Sequence, residues 1–597
     1  MSISHGNNKA YPIYSVGMTS RSTHITQYFD LGNHSFPIST ASVEAQRWFD
    51  RGLAWCYGFN HEEACRCFQN TITEDPTCAM GYWGIAYANG PFYNKPWDCY
   101  GELERGPTIK ICHEACQTAR QLSPNSTSLE QQLIQALSQK FPTDPNVTIE
   151  ALEQAEQSYA LTMRQLLKCS PNHLDIICLT AEALMNLNRW QLWDIRSGLP
   201  TLGAHTAEVY QILEFGLVLS KQRHSGILHL YIHLVEMSPT PEDGLNAANK
   251  LRRIKSQSGH LTHMATHIDM LCGQYKLAVE SNDRAIELDL DYLALRGTEE
   301  FYLISCLHNY HMKMTAAMFL GQFAPAMAAA KGARAIINPN LFQGDKRYLA
   351  TTLEGYYSAR VHVLVRFGRW QTIIDELIPS TDLVTKRDTN VCYLVTTTLL
   401  HYAKAIAHAT FGNHIDADLH REQFERLSAS VPDWHIMANN PTSNILAVAR
   451  AMMNGEVEYH AGHHSLGYDF LRQASALSDQ LEYSEPWPWM HPPRHALGAL
   501  LLEQGYVDEA IGHYEDDLGI GNRLPRCLQH PDNIWALHGY VECLKRQGLL
   551  AEAQRYELRL NQTMLEADFD IQSSCCCRKV APVFTQQRAA LGAKTPV

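Results

Sequence analysis

The chain has 597 residues, too many for one hydrophobic core, so a repeat array or several domains is expected. Its 45% hydrophobic and 19% charged residues exclude wholesale disorder, and a net charge of −13 gives no basic footprint, so no nucleic-acid partner is expected. The opening MSISHGNNKAYPIYSVG has no basic stretch leading into an apolar one, and the longest apolar runs fall short of the roughly 18–20 residues of a membrane span. A cytoplasmic chain with no membrane contact is therefore expected. The seventeen cysteines follow no framework of spacings and read as reduced, buried thiols. In that compartment the sequons at Asn125 and Asn146 carry no meaning.

Residues 1–40 lack helical periodicity and read as an extended N-terminal arm. From residue 41 the pattern is helical almost throughout. Trp48, Phe49, Leu53 and Tyr57 recur at helical spacing, as do Ala64, Phe68 and Ile72. Pro76 then stops the second helix, because proline cannot continue it. Tyr82, Trp83 and Tyr87 follow in a helix rich in small residues and read as repeat core. His61, in FNHEEA, begins a helix and reads as a capping or surface residue. Helix, Gly58-Phe59-Asn60 turn, helix and closing proline resemble the tetratricopeptide repeat (TPR).

The turn signature returns down the chain. GQYKLAVE, GQFAPAMA, GRWQTIID and GNHIDADL place glycines at 273, 321, 368 and 412, in steps of 48, 47 and 44 residues, and EQGYVDEAIGHY and RQGLLAEAQRY place Gly505 and Gly548 43 apart. The fold class that follows is all-α, a TPR-like α-solenoid of antiparallel helix hairpins continuous over 41–597. Its histidine-rich core spans about 174–370 and its C-terminal repeats about 371–597.

The histidines are patterned. In ILHLYIHLVEM, His229, His233 and Glu236 fall within a roughly 60° arc of one helix, and in SGHLTHMATHI so do His260, His263 and His267. His308 and His311 follow in CLHNYHM. The helices read as 226–237, 242–255, 259–271, 275–288 and 298–313, with histidines on the first, third and fifth. Alternate helices of a solenoid line one face, so the three stripes are expected to converge. Seven buried histidines and a glutamate each need a partner, which favours a metal site over a polar core. Imidazole suits copper, iron and zinc; a thiolate-poor, open site favours copper or iron, with zinc as the alternative. The donors suffice for one or two ions.

Other polar residues could complete a pocket. Glu182 and Asn186 share a helix face in TAEALMNL. In EPWPWMHPPRHALGALL, Trp487, Trp489, His491, Arg494 and His495 sit where a loop enters a helix, with Arg494 suited to an anionic group; a loop packing its tryptophans on a neighbouring repeat is the equal alternative. Cys575-Cys576-Cys577 reads as a partly buried turn, with chelation of a soft metal as the alternative. HExxH, GxSxG, GxxxxGK[ST] and GxGxxG are absent, so familiar hydrolase, NTPase and nicotinamide chemistry finds no support.

The segments GFNHEEACRCF, MGYWGIAYANGPFYN, AEALMNL, LHLYIHLVEMSP and SGHLTHMATHI resemble a bacterial and fungal group of TPR domain proteins, from about residue 28 to the C-terminus and including CCCR at 575–578. The likeness is weak over about 415–480, and Ala265 stands where that group leads one to expect proline. The resemblance implies the fold and the candidate positions, and no reaction. The functional expectation is a metal-dependent oxidoreductase with a His-ligated iron or copper centre acting on a small, aromatic or apolar molecule. In it His229, His233, His260, His263, His267, His308 and His311 are ligands, and Glu236, Glu182 and Arg494 are catalytic. A non-catalytic TPR scaffold for a peptide or protein and a metal-dependent hydrolase or lyase are the alternatives. Association of identical chains is compatible with either.

Overall fold

The computed structural model describes residues 28–342, 346–379 and 393–579. Its described residues are helical almost throughout, and the strands among them are two hairpins of two-residue strands, Trp193–Asp194 with Leu199–Pro200 and Ile436–Met437 with Asn440–Pro441. The fold is a TPR-like α-solenoid. Where the sequence reading draws one array from residue 41, the packing defines two compact units. The first comprises Met1–Arg189, Glu208–Leu230 and Arg253–Leu261, the second Trp190–Ala207, Tyr231–Arg252 and Thr262–Val597.

In the first unit, residues 28–42 carry no helix; the rest of the expected arm, 1–27, lies outside the described residues. Phe36 and Ile38 are buried, Ser39 N–H donates to Glu130 Oε1 at 2.7 Å, and Thr40 Oγ1 donates to Asp75 Oδ2 at 2.6 Å. The helices Val43–Tyr57, His61–Glu74 and Ala79–Asn89 pack around Phe68. A Cβ built at Gly52 or Gly84 would stand 2.6 or 2.3 Å from its ring, so glycine is what lets the backbones close over it. Asn60, and not His61, caps the second helix by accepting from Glu63 N–H at 3.0 Å. His61 is instead buried, its Nδ1 3.1 Å from Ala88 O and its ring stacked on Phe92, so the capping or surface reading is corrected. Phe59 holds φ at +54°, a strained choice for a bulky residue, and its ring packs on His229 and His260.

The second unit is built on the glycine turns. Gly273, Gly321, Gly368, Gly412, Gly505 and Gly548 all have positive φ. Each closes its helix by the same pair of bonds; at Gly273 its own N–H reaches Met270 O and the next N–H, of Gln274, reaches Asp269 O at 2.8 Å. This double closure satisfies carbonyls the helix end leaves open and requires the left-handed residue at the glycine. Gly462 makes the same turn at φ +90°, 50 residues after Gly412 and 43 before Gly505, filling the interval where the sequence pattern lapsed. Several helix bounds shift from those read in the sequence. Tyr275–Arg296 runs past 288 because Tyr292 and Leu293 still bury; Gly297, at φ +81°, then ends it, and the next helix is Leu303–Phe319. A 3-10 turn at Pro241–Gly244 precedes Leu245–Arg253, and the expected 259–271 helix breaks at Met264 into Gly259–His263 and Ala265–Leu271.

Residues 566–577 form a strap over two of these turns. Asp568 accepts from the N–H groups of Phe323 and Ala324, capping the helix Phe323–Ile336 from 245 residues away, and Glu566 O accepts from Gln322 Nε2. Ile571 packs on Gly321 and Cys576 on Gly368. No helix among the described residues is long and apolar enough to cross a membrane.

Candidate metal centre

In the second unit, His263, His267 and His308 come together. The first two sit on either side of the Met264 break, and His308 lies on the helix Leu303–Phe319. His263 and His267 bring their Nε2 atoms to 2.9 Å, and His308 Nε2 is 3.5 Å from that of His267. His263 and His267 are fully buried and His308 is half-buried.

The protons on these rings are set by what lies behind them. Asn282 Nδ2 donates to Ala278 O at 2.8 Å, which turns its Oδ1 toward His263 Nδ1 at 2.7 Å as an acceptor. Glu236 Oε2 accepts from His267 Nδ1–H at 2.7 Å. Both imidazoles thus spend their Nδ1–H groups outward, so that the Nε2 of each neutral ring is unprotonated and aimed at the other. Two lone pairs 2.9 Å apart repel unless a cation lies between them or one ring gains a proton. An ion 2.0–2.1 Å from tetrahedral nitrogens separates them by about 3.3 Å, between the two observed spacings. Histidines held from behind by a carboxylate or amide oxygen are the usual arrangement around a metal.

Glu236 is the hub of a second group. Its Oε1 accepts from His233 Nδ1–H at 2.7 Å, and its Oε2 accepts also from Tyr483 O–H at 3.1 Å. Glu485 Oε2 lies 3.2 Å from His267 Nδ1, while Glu485 Oε1 is buried with no hydrogen-bond partner among the described residues. A cavity of about 20 Å3, room for one water-sized occupant, adjoins Glu236, His267, Glu485, Met270 and Met312. Burial pushes His233 down to about 3 and holds His263 and His308 well below the ordinary imidazole value. Burial also opposes charge on His267, but Glu236 and Glu485 outweigh it and raise that pKa. Burial and the neighbouring Glu236 push Glu485 up to about 8. Burial thus keeps His233, His263 and His308 on the neutral side, whereas Glu485 holds its proton at neutral pH and His267 is shifted toward holding one.

The remaining expected site residues lie elsewhere. His311 packs edge-on against Tyr356 and is pushed down to about 4 by burial. His229 and His260 belong to the first unit, where their Nε2 atoms are 3.3 Å apart and His229 Nδ1–H donates to Tyr57 O at 2.7 Å. Glu182 is in the first unit as well, where it accepts from Tyr87 O–H; burial raises its pKa against the nearby Lys140 and Arg189. Arg494 is committed to Asp479, with Nη1 donating to Oδ1 at 2.6 Å and Nη2 to Oδ2, so its assignment to a bound anion is corrected. Trp487 and Trp489 are buried and donate to Cys527 O and Met452 Sδ. A further donor group in the first unit is His34, Asp175 and His224, with His34 Nε2 2.9 Å from Asp175 Oδ1. Ile227 N–H donates to His224 Nδ1, which leaves the ring proton on Nε2 to meet Asp175 Oδ1 at 3.3 Å. Asn282, Tyr483 and Glu485 had no signal in the sequence: the first lies on a helix that reads as outer, the others in a proline-rich loop.

No family model and no curated protein matches the chain. It is similar to solved helical-repeat proteins at low identity. The human IFIT1 dimer with m7Gppp-AAAA is 10% identical at a TM-score of 0.31, over 89% of this chain and 92% of that one. Yeast Tom70 is 10% identical at 0.28, over 87% and 90%, and the APC/C hetero-tetramer Cut9–Hcn1 is 13% identical at 0.27, over 73% and 74%. Likenesses at this level assign no ligand to this chain. IFIT1 is solved with capped RNA and Cut9 with Hcn1, so these neighbours lend no support to the expected small-molecule partner or to the exclusion of nucleic acid. A net charge summed over 597 residues does not fix the charge of any one face.

Proposed function

We propose that this chain is a helical-repeat binding protein whose second unit holds a transition-metal ion on His263, His267 and His308. The observation that carries the reading is the pair of Nε2 atoms at 2.9 Å whose Nδ1–H groups are already given to Asn282 and Glu236. A nitrogen-rich set of this kind suits copper, iron or zinc, and the thioethers of Met270 and Met312 beside His267 favour copper. Asn282 and Glu236 orient the rings; Glu485 supplies an adjacent carboxylate. The helical-repeat fold supports the scaffold part of the reading, with the partner read by the repeats and the ion fixing three helical segments.

Metal-dependent catalysis is the second reading, as a copper or iron oxidoreductase or, with zinc, a hydrolase or lyase. The half-buried His308 favours it, since an ion held there has one ligand toward solvent. Elemental analysis of protein purified without an affinity tag tests both. One ion per chain, lost in His263→Ala and His308→Ala with the helical circular-dichroism signal intact, supports the site. A chain free of metal that also takes up none of the three ions on titration refutes it, and leaves His267 as an imidazolium donating to His263.

A further inference from the structure

At the end of the strap stand three thiols, and every described cysteine of the chain is free. Cys577 is fully buried, whereas Cys575 and Cys576 are half-buried, so the first residue lies nearer solvent than the third. The turn folds Cys577 back on Cys575, whose Sγ accepts the Cys577 backbone N–H at 3.3 Å. Cys576 is occupied differently: a Cβ built at Gly368 would stand 2.7 Å from its own Cβ. The segment is pinned just upstream, where Ser574 Oγ donates to His495 O at 3.0 Å and meets Tyr514 O–H at 2.6 Å.

Beside this turn lies a buried cation. Arg366 donates to Ser574 O and to His495 Nδ1, and its guanidinium lies 3.8 Å over the Trp535 ring. Its Nε is buried with no hydrogen-bond partner, and no carboxylate pairs with it among the described residues. Asp517, which its charge also feels, is already shared by His495, His530 and Asn533. A buried cation is costly without a counter-charge; the buried Glu456 feels Arg366, but burial and Cys575 push its carboxyl well up toward the neutral acid, which leaves a thiolate at Cys575 to supply one. Burial opposes that ionisation, but the Cys577 thiol, Arg366 and the Cys577 N–H together outweigh it and hold Cys575 below the ordinary thiol value. Burial pushes Cys576 the other way, to about 12. Thiolate character and access choose which cysteine reacts.

We propose that Cys575 and Cys577 are a peroxide-responsive dithiol, Cys575 the attacking thiolate and Cys577 the resolving thiol. Cys575 Sγ attacks a peroxide oxygen; the S–O bond forms, the O–O bond breaks, and the leaving hydroxide takes a proton to become water. The Cys577 sulfur then attacks the sulfenic sulfur; the S–S bond forms, the S–O bond breaks, and a second water carries off the Cys577 proton. Two electrons pass from the two thiols to one hydrogen peroxide.

The test treats the full-length protein with stoichiometric hydrogen peroxide, blocks free thiols and maps the unreduced tryptic peptide Leu560–Arg578, which holds only these three cysteines. The expected result is loss of two hydrogens in that peptide, with Cys576 alone still alkylated. Cys576→Ser should behave as the natural protein does, and Cys577→Ser should accumulate a dimedone-reactive sulfenic acid on Cys575. Formation of a bond involving Cys576, equal or faster oxidation of the exposed Cys169, or an unreactive peptide each overturns the proposal. The natural protein and Cys576→Ser decide the matter even where Cys575→Ser fails to fold.

Discussion

Replacing Glu485 by glutamine probes the protons that a bound ion must displace. At pH 5.5 the structure places one proton on His267, whose pKa is raised by Glu236 and Glu485, and one on Glu485, pushed up to about 8. His263 and His308 are set against carrying one, because burial holds both well below the ordinary imidazole value. A divalent ion on the three Nε2 atoms takes the place of the His267 Nε2 proton, and its charge expels the proton of Glu485. The natural protein should therefore release close to two protons per ion. Glu485→Gln should release close to one, since the amide has the shape of the protonated acid and no proton to give. Three exposed histidines of ordinary pKa, about 6.5, would instead release nearly three at this pH, with no response to position 485. Isothermal titration calorimetry in buffers of different ionisation enthalpy counts these protons directly. The affinity should correspondingly change about tenfold per pH unit in the variant, one proton's worth. A count near three, or a count unmoved by Glu485→Gln, refutes the proton assignment and with it the claim that burial has pre-set these ligands.

Removing the amide behind His263, in Asn282→Ala, should weaken metal binding about 10- to 100-fold by competition with a chromogenic chelator while the helical signal stays unchanged. Asp289 accepts from Tyr302 O–H and Asn309 Nδ2 and is raised by burial to about 7. The folded state then holds this proton above the unfolded value of 3.8, so stability falls as pH rises from about 4 to 7; three units correspond to about 4 kcal/mol. Asp289→Asn should flatten that slope in urea unfolding compared at pH 5 and pH 8, and parallel slopes would refute the assignment. Gly462 and Gly321 both hold positive φ, but a Cβ at Gly462 meets nothing within 4 Å and one at Gly321 meets Ile571 Cδ1 at 2.5 Å. Gly462→Ala should cost about 1–2 kcal/mol from the left-handed conformation alone, and Gly321→Ala more, read as urea midpoints; equal losses would mean the strap does not bear on that turn. Asp568→Ala should cost about 1 kcal/mol by the same measurement, the value of a lost helix cap.

The repeat architecture was legible because it rests on local rules. A left-handed glycine and two short-range bonds make each turn, and six of the seven glycines stood out by spacing. Gly462, in AGHHSLGYDFL, makes the same turn but was not read from the pattern. The histidine stripes were also visible, since residues three and four apart on a helix share a face whatever surrounds them. Which stripe members meet was not. His308 and His311 are equivalent by periodicity, and only the packing of Leu303–Phe319 turns the first to His267 and the second to Tyr356. The supports were hidden for a different reason. Glu485 reaches His267 from 218 positions away, and Asn282 lies on a helix whose charged residues made it read as an outer one. Arg494 shows the converse error, because a lone arginine beside tryptophans looks available until its aspartate is found.

The strap separates the making of a repeat from its completion in time. The helix Phe323–Ile336 leaves the ribosome 245 residues ahead of Asp568, which caps it. At about 5–20 residues per second that interval lasts about 12–50 s. Throughout it Phe323 and Ala324 present open N–H groups and the Gly321 turn lacks the cover of Ile571. A nascent chain therefore carries these repeats half-finished over 245 of its 597 residues, whereas a chain diluted from denaturant meets its strap at once. Vectorial synthesis and refolding in vitro should thus differ most at this turn, where a folding factor acting on the growing chain has the longest time to bind.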